Sequence, residues 1–157
     1  MSTIDDYAVR IASAATSTGV TVAVAESLTC GALVSALGSA PDSAQWLQGA
    51  VVAYSSDVKR TVLGVPDVAV VSEGAACAMA AGVRELLHAD IAVAVTGVGG
   101  PGPQDGEPTG SVWFAIGETD GCMARHEHFE GPPERVVRLT VETALAMILR
   151  AVHDKSQ

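Results

Sequence analysis

Apolar residues recur with two different spacings along this chain, and these spacings predict its helices and strands. Helical spacing runs from Ile4 to Ala15, from Ala76 to Leu87 and from Val137 to Val152. Gly19, Ser72 with Glu73, and Pro132 with Pro133 stand where helix ends and starts are expected. Short apolar runs predict strands at 20–25, 49–55, 91–96, 111–117 and 123–129.

The order of these segments predicts an α/β fold. Strands and helices interleave through most of the chain, as they do where helices connect the strands of one sheet. The last two strands are separated only by a turn around Asp120 and Gly121, which predicts an antiparallel hairpin. We therefore expect a single three-layer α/β/α domain over residues 1–157, with a core at about 5–152 and a mixed sheet that includes this C-terminal hairpin. The last five residues are expected to fray.

Composition narrows the classes of function. The hydrophobic share is 48% and the aromatic share only 4%, so small aliphatic side chains must fill the core. A net charge of −9 opposes binding to a nucleic-acid backbone, although a small anionic ligand is still possible. We expect no nucleic-acid or membrane partner, and a homo-oligomer, with a dimer favoured, because the domain is rich in alanine.

The apolar runs, the first residues and the cysteines predict where the protein is located and the state of its thiols. No apolar run reaches the roughly 18 residues of a membrane span, and the first ten residues do not resemble a signal peptide. We therefore expect a cytoplasmic protein. Its three cysteines, Cys30, Cys77 and Cys122, are far apart, which predicts reduced thiols and no thiolate zinc site. No cofactor and no metal are expected.

A long glycine-rich segment, residues 97–110, follows the strand at 91–96. It begins Gly97-Val98-Gly99-Gly100-Pro101-Gly102, which matches a dinucleotide-binding pattern by its letters. That pattern requires a helix to begin inside the glycine run, whereas prolines here lead into a loop and a strand. Two interpretations remain open, a ligand-binding loop and an exposed connection.

Lys59 is the lysine that stands out as a candidate base. The chain has only two lysines, Lys59 and Lys155, against seven arginines, and Lys155 falls in the expected frayed tail. A lysine acts as a general base only where burial or charge lowers its pKa, a change that arginine does not undergo. A solvated lysine on a helix surface is the simpler interpretation.

Two serines compete as the partner of this lysine. Ser56 lies three residues before Lys59 and would share a helical face with it, but Ser56 also suits the N-cap of that helix. Ser27 lies at a strand-to-helix turn, where the N–H groups from Leu28 to Gly31 could hold an oxyanion or a phosphate. The alternative is that Ser27 and Thr29 only cap the following helix, and Glu26 is ambiguous in the same way. No sequence motif places a histidine in a serine–histidine–acid triad. We interpret His126 and His128 as exposed edge residues, not metal ligands.

Four segments of the chain together resemble one known family. They are AESLTCGALVSAL, GAVVAYSSDVKRTVLGV, VSEGAA and TGVGGPGPQDGEPTGSVWFAI. In this order and spacing they resemble the C-terminal domain family of the competence-damage-inducible protein CinA, which includes nicotinamide mononucleotide deamidases. The resemblance runs from about residue 5 to residue 150.

The resemblance implies a serine–lysine amidohydrolase that converts nicotinamide mononucleotide to nicotinate mononucleotide and ammonia, in pyridine nucleotide salvage. Ser27 matches the family's nucleophile, Lys59 its base and Tyr54 the tyrosine that precedes the lysine, which implies that Tyr54 orients the pair or relays a proton. The residues matched to substrate binding are Thr29, Cys30, Gly31, Thr96, Gly97, Gly99 and Gly100, and Arg138 is a candidate for the phosphate.

This sequence departs from the family pattern in two places. Cys30 stands where the family usually has glycine, which matters if that position requires a positive φ. Gly131-Pro132-Pro133 stands where the family often has Gly-Asp-Arg, so an arginine expected to face a phosphate is missing, and Arg135 or Arg138 would have to replace it. The alternative to the enzyme is therefore a non-catalytic nucleotide-binding or regulatory module of the same fold.

Overall fold

The computed structural model describes residues 2–104 and 106–157 of the chain. The helices and strands of this part are, in chain order, α1 (Thr3–Thr18), β1 (Val22–Glu26), α2 (Ala32–Gly38), α3 (Ser43–Trp46), β2 (Leu47–Val52), α4 (Ser56–Leu63), α5 (Glu73–Leu87), β3 (Ile91–Gly97), β4 (Ser111–Glu118), β5 (Gly121–His128) and α6 (Pro133–Asp154).

The five strands form one mixed sheet in the order β2-β1-β3-β4-β5. β2, β1 and β3 are parallel, whereas β4 is antiparallel to both β3 and β5. The α/β architecture, the mixed sheet and the C-terminal hairpin are therefore confirmed. The carboxyl ends of β1, β2 and β3 lie at one edge of the sheet, and β4 begins at that same edge.

Alternating valine and alanine in β1 and β3 divide the sheet into two unlike faces. The valines of these strands, with Phe114, pack in a core with α1, α2 and α6. The alanines of the same strands, with Ala115, pack against α4 and α5. Small side chains let α5 approach the sheet closely. The helices α4 and α5 also lie close together, since a Cβ at Gly82 of α5 would lie 2.1 Å from the Leu63 carbonyl oxygen of α4. Large and small apolar side chains therefore alternate along β1 and β3.

Several boundaries differ from the sequence prediction for local reasons. The run predicted as a strand over 49–55 forms a strand only over Leu47–Val52, because the Ser55 side chain caps α4 by accepting from the Val58 N–H. The short helix α3 had no prediction. Lys155 is not in a frayed tail, since α6 continues to Asp154 and the Lys155 ammonium lies 3.0 Å from a Glu118 carboxylate oxygen.

The prediction that all three cysteines are reduced is wrong. Cys77 of α5 and Cys122 of β5 form a disulfide, with their Cα atoms 5.9 Å apart, and Cys30 is free and exposed. The two bonded cysteines are 45 residues apart in sequence, and only the packing of α5 over the hairpin brings them together. Within residues 2–104 and 106–157, no helix is long and apolar enough to cross a membrane.

Candidate active site

The turn after β1 is built around the carboxylate of Glu26, which is fully buried. Its Oε1 accepts from the Thr29 hydroxyl at 2.6 Å, the Gly31 N–H at 3.1 Å and the Leu33 N–H at 3.0 Å. Its Oε2 accepts from the Val34 N–H at 2.9 Å. A negative charge at a helix N-terminus is favourable, and these bonds satisfy N–H groups that have no partner within the helix. Glu26 therefore caps α2 from outside the helix.

This cap changes two predictions about the turn. The helix begins at Ala32, and neither Ser27 nor Thr29 caps it by a side-chain bond. Of the N–H groups from Leu28 to Gly31, Cys30 donates to the Ser27 carbonyl and Gly31 donates to Glu26. Only the N–H groups of Leu28 and Thr29 are then available to an oxyanion within this turn. The α2 N-terminus already holds a carboxylate, which opposes a second anion there.

Thr29 and Cys30 were both predicted to contact substrate. Thr29 is buried and its hydroxyl hydrogen is used by Glu26, so the hydroxyl can offer a ligand only an acceptor. Cys30 has φ +48° and Gly31 has φ +98°. The position at which the sequence departs from the family does require a left-handed backbone, which a residue with a Cβ adopts at a cost of about 1–2 kcal/mol. The exposed thiol of Cys30 is accessible from solvent.

Ser27 follows β1, and Lys59 lies in the helix that follows the neighbouring strand β2. Ala23 and Ala25 of β1 pack on the side of α4 and α5, and Ser27 is the next residue in that alternating series. Ser27 is 5% exposed. Lys59 lies in α4, which follows β2, and is 3% exposed. Lysine is almost never buried to this extent unless it is paired, so the solvated surface lysine is not what the fold contains.

Tyr54 and Ser56 flank this region differently. Tyr54 is 70% exposed, between β2 and α4, so its ring is not packed among the buried side chains. Ser56 opens α4 and is half-buried, one helical turn before Lys59. The cap of α4 is Ser55, not Ser56. Ser56 thus keeps the spacing of the rival serine–lysine pair.

The glycine-rich loop returns to the turn that carries Ser27. Thr96 is fully buried and its hydroxyl donates to the Val70 carbonyl at 2.6 Å. A Cβ at Gly97 would lie 2.8 Å from the Ser111 carbonyl oxygen, so this close approach of β3 to β4 requires glycine. A Cβ at Gly99 would lie 3.9 Å from the Leu28 Cβ. Two of the predicted binding segments therefore meet beside Ser27.

Gly100 has φ +97°, and a Cβ there would lie 2.7 Å from the Thr109 methyl carbon. The bond from Gly100 to Pro101 is cis. The start and the end of the loop are joined where the Gly110 N–H donates to the Val98 carbonyl at 2.7 Å. The loop is therefore closed on itself by backbone contacts, and it stands next to the Ser27 turn.

Arg138 lies apart from these residues. It is on α6, which packs on the sheet face opposite α4, and its exposed guanidinium lies 3.6 Å from a Glu142 carboxylate oxygen. Arg135 donates to the Glu130 carbonyl. The structure thus does not bring Arg138 together with Lys59, and its role toward a phosphate stays a prediction.

Sequence reasoning missed a polar cluster on the hairpin. The Ser111 hydroxyl lies 2.7 Å from the Nε2 of His126 and 2.9 Å from a Glu107 carboxylate oxygen, and the Trp113 ring centroid is 4.8 Å from that of His126. The alternation of the hairpin could have placed Trp113 and His126 on one face. Within residues 2–104 and 106–157, no group of three histidines, cysteines or carboxylates is placed to hold a metal ion.

A cleft of about 720 Å³ lies elsewhere, between β5 and α6. Its lining includes Ile116 of β4, Asp120 of the hairpin turn, Met123 of β5 and Arg150 of α6. None of the predicted site residues lines it. This cleft is at the edge of the sheet opposite Ser27, so its size does not make it the site of serine–lysine chemistry.

Comparison with known proteins agrees with the motifs. The family described as CinA C-terminal domain matches residues 4–152. A putative competence-damage inducible protein of Desulforamulus reducens is 41% identical over 142 residues, and the match covers 87% of this chain and 34% of that protein. A CinA-like protein of Frankia casuarinae is 38% identical over 135 residues, covering 83% and 31%. The chain thus spans about a third of the length of these relatives.

Solved structures resemble the whole chain. A CinA superfamily protein from Klebsiella pneumoniae superposes with a TM-score of 0.92 at 34% identity, covering 98% of this chain and 99% of that one. A competence/damage inducible protein from Agrobacterium tumefaciens superposes with a TM-score of 0.90 at 32% identity, covering 98% and 97%. The fold and the sequence similarity therefore extend over the same residues.

Proposed function

Because the chain belongs to the CinA C-terminal domain family, we propose that it is an amidohydrolase that converts nicotinamide mononucleotide to nicotinate mononucleotide and ammonia. The observation that carries the proposal is that Lys59, in the helix that follows β2, is buried and 3% exposed, while Ser27, which follows the neighbouring strand β1, is 5% exposed. A lysine serves as a base only in its neutral form, and removal from water favours that form. A serine becomes a useful nucleophile where such a base lies within reach.

In the proposed mechanism Lys59 takes the proton of the Ser27 hydroxyl as the oxygen attacks the carboxamide carbon. The tetrahedral intermediate collapses, and the protonated Lys59 gives its proton to the leaving nitrogen, which departs as ammonia. Water, deprotonated by Lys59, then attacks the Ser27 ester and releases the carboxylate product. The N–H groups of Leu28 and Thr29 are the donors of this turn that can stabilise the oxyanion.

In the proposed mechanism Tyr54 acts on the bound substrate and does not orient Ser27 and Lys59 before the substrate binds. With 70% of its surface exposed, it is free to close over a bound pyridine ring and to relay a proton there. The loop containing Gly99 and Gly100 supplies the opposite wall, since it lies beside Leu28. Backbone N–H groups exposed by glycines are suited to a ribose or a phosphate.

The experiment is a direct assay of ammonia released from nicotinamide mononucleotide by the purified protein. Ser27→Ala and Lys59→Met should each lower kcat by at least about a hundredfold, the range expected for loss of a nucleophile or a general base. Trapping with hydroxylamine should give the nicotinate mononucleotide hydroxamate with the wild type but not with Ser27→Ala. Equal melting temperatures would show that the variants are folded.

Ser56→Ala is the matched control, because it removes a hydroxyl one helical turn from the same lysine. We expect its kcat to stay within about threefold of the wild type, since the loss of one hydrogen bond at most is involved. If Ser56→Ala abolished turnover and Ser27→Ala spared it, the nucleophile would be Ser56 and the proposed mechanism would be wrong.

The second candidate is a nucleotide-binding module without turnover, and Cys30 is the observation that favours it. This residue places a Cβ and an exposed thiol in a left-handed turn position beside Ser27. Binding of nicotinamide mononucleotide in calorimetry without ammonia release would support this candidate. Activity gained by Cys30→Gly would then show that the thiol is what prevents turnover.

A further inference from the structure

β5 is an edge strand, and two of its histidines reach the glycine-rich loop. His126 and His128 occupy alternate positions of β5, in the same series as Cys122, which bonds to α5. Their side chains therefore lie on the face of the sheet covered by α4 and α5. The Nε2 of His128 is within hydrogen-bond distance of the Thr109 carbonyl in the loop, and that of His126 is within hydrogen-bond distance of Ser111, the residue that follows the loop.

The bond from His126 runs through a buried serine. Ser111 is 1% exposed, and its hydroxyl donates to the Glu107 carboxylate at 2.9 Å. A carboxylate only accepts, so the single hydroxyl hydrogen is used there, and the His126 Nε2–H must donate to the Ser111 oxygen at 2.7 Å. In a nucleophilic triad the histidine accepts from the serine instead. Ser111 is therefore a bridge from β5 to Glu107, not a nucleophile.

Glu107 fixes Gln104, and we call these two residues the outer half of the loop. Its backbone pairs in both directions with Gln104, through bonds of 2.8 Å and 3.1 Å. The Trp113 ring covers the His126 ring, with centroids 4.8 Å apart, and restricts its orientation. A contact made by a side chain of β5 thus reaches Glu107 and Gln104 through Ser111.

The bond from His128 fixes the inner half of the loop, which comprises residues 98–101 and 108–110. Its Nε2 lies 3.1 Å from the Thr109 carbonyl oxygen, which only accepts, so this nitrogen donates. The Thr109 hydroxyl donates in turn to the Pro101 carbonyl at 3.1 Å. The Thr109 methyl occupies the space that a side chain at Gly100 would need. Gly100 follows Gly99, the residue that lies against Leu28.

We propose that His126 and His128 are positioning residues that hold the glycine-rich loop in the conformation that receives the ligand. His126 holds the outer half through Ser111 and Glu107, and His128 holds the inner half through Thr109. The identity of the ligand rests on the proposed function, whereas the ordering of the loop does not. Neither histidine touches the reacting atoms in this proposal.

Hydrogen–deuterium exchange on the unliganded protein tests the ordering of the loop. His126→Val and His128→Val remove the donors and keep strand propensity, and Met123→Val changes the opposite face of the same strand as a control. We expect exchange within residues 98–110 to become about two- to tenfold faster in the histidine variants, the effect of one lost hydrogen bond on local opening. Exchange in β1 and β3 should not change. Unchanged loop exchange, or an equal increase throughout the sheet, would overturn the proposal.

Kinetics separate positioning from a general loss of stability. With nicotinamide mononucleotide we expect KM to rise about fivefold in His126→Val and His128→Val, with kcat within about twofold, since one hydrogen bond is lost remote from the chemistry. His126→Gln keeps an N–H donor, so its KM should be close to that of the wild type. An equal fall in kcat, or no rescue by glutamine, would overturn the proposal. If the wild type releases no ammonia, the proposed function fails, and loop exchange still decides the role of the histidines.

Discussion

Replacing Glu26 by glutamine tests whether a buried carboxylate organises the candidate site. The side chain is fully buried and accepts four hydrogen bonds, three of them on Oε1. Glu26→Gln preserves the shape of the side chain. Its amide oxygen can keep the three bonds on one side, but its NH₂ group then faces the Val34 N–H, which loses its acceptor.

The cost follows from these contacts. A poorly solvated donor left without an acceptor costs about 1–3 kcal/mol, and loss of the negative charge at the α2 N-terminus adds about 0.5–1 kcal/mol. Flipping the amide would be worse, because three donors would then face the NH₂ group. We therefore expect Glu26→Gln to lower the free energy of unfolding by about 2–4 kcal/mol and the melting temperature by roughly 5–15 °C, at about 2–4 °C per kcal/mol for a domain of this size.

Urea unfolding followed by circular dichroism measures this loss. Glu134→Gln is the matched control, since Glu134 lies in the first turn of α6 but is exposed. We expect the control to lose less than about 1 kcal/mol. If Glu26→Gln lost no more than Glu134→Gln, the carboxylate would not be the cap of α2. Since the same turn carries Ser27, we also expect ammonia release by Glu26→Gln to fall.

Further substitutions and one treatment test the packing, the disulfide and an ion pair. Gly82→Ala should destabilise the protein by more than about 2 kcal/mol because its Cβ would meet a carbonyl of α4, whereas Gly74→Ala, in open space on the same helix, should stabilise it by about 0.5–1 kcal/mol in the same urea titration. Reducing the Cys77–Cys122 disulfide, which closes 45 residues, should lower stability by about 3–4 kcal/mol in unfolding with and without dithiothreitol, and a change below about 1 kcal/mol would contradict this. The hydrogen bond to a carboxylate of β4, and the charge of that carboxylate, raise the pKa of Lys155 above 10.5. The contribution of this ion pair to the free energy of unfolding is therefore complete below pH 10.5 and is lost as the pH rises through the folded-state pKa. Lys155→Gln should cost less than about 1 kcal/mol at pH 8 and nothing at a pH above the raised pKa, because the pair is partly exposed.

Local patterns were sufficient for most elements of the fold. Helical spacing from Ile4 to Ala15 and the alternation around Asp120 predicted α1 and the hairpin, because both depend on neighbours in sequence. The boundary at Val52 was wrong for the same kind of reason, since a capping serine three residues later ended the strand. Lys59 was singled out by composition, and the fold places it in the interior.

The candidate site shows where sequence stops being sufficient. Glu26, Ser27 and Thr29 are adjacent along the chain, yet the sequence left open whether each caps a helix or meets a substrate. That choice depends on where the carboxylate lies relative to the N–H groups of α2. His126 was interpreted as an exposed edge residue, and its exposure is as expected, but its bond to Ser111 crosses from one strand to the next.

The sequence by itself determined the period of each segment, and so the α/β class, the mixed sheet and the glycine-rich loop after β3. Tertiary structure decided which distant groups share a location. Cys77 meets Cys122, Gly99 lies against Leu28, and Lys59 of α4 is buried. The reason is physical: period and propensity act over a few residues, whereas these contacts depend on the order of the strands in the sheet and on the packing of α4 and α5 on its alanine face.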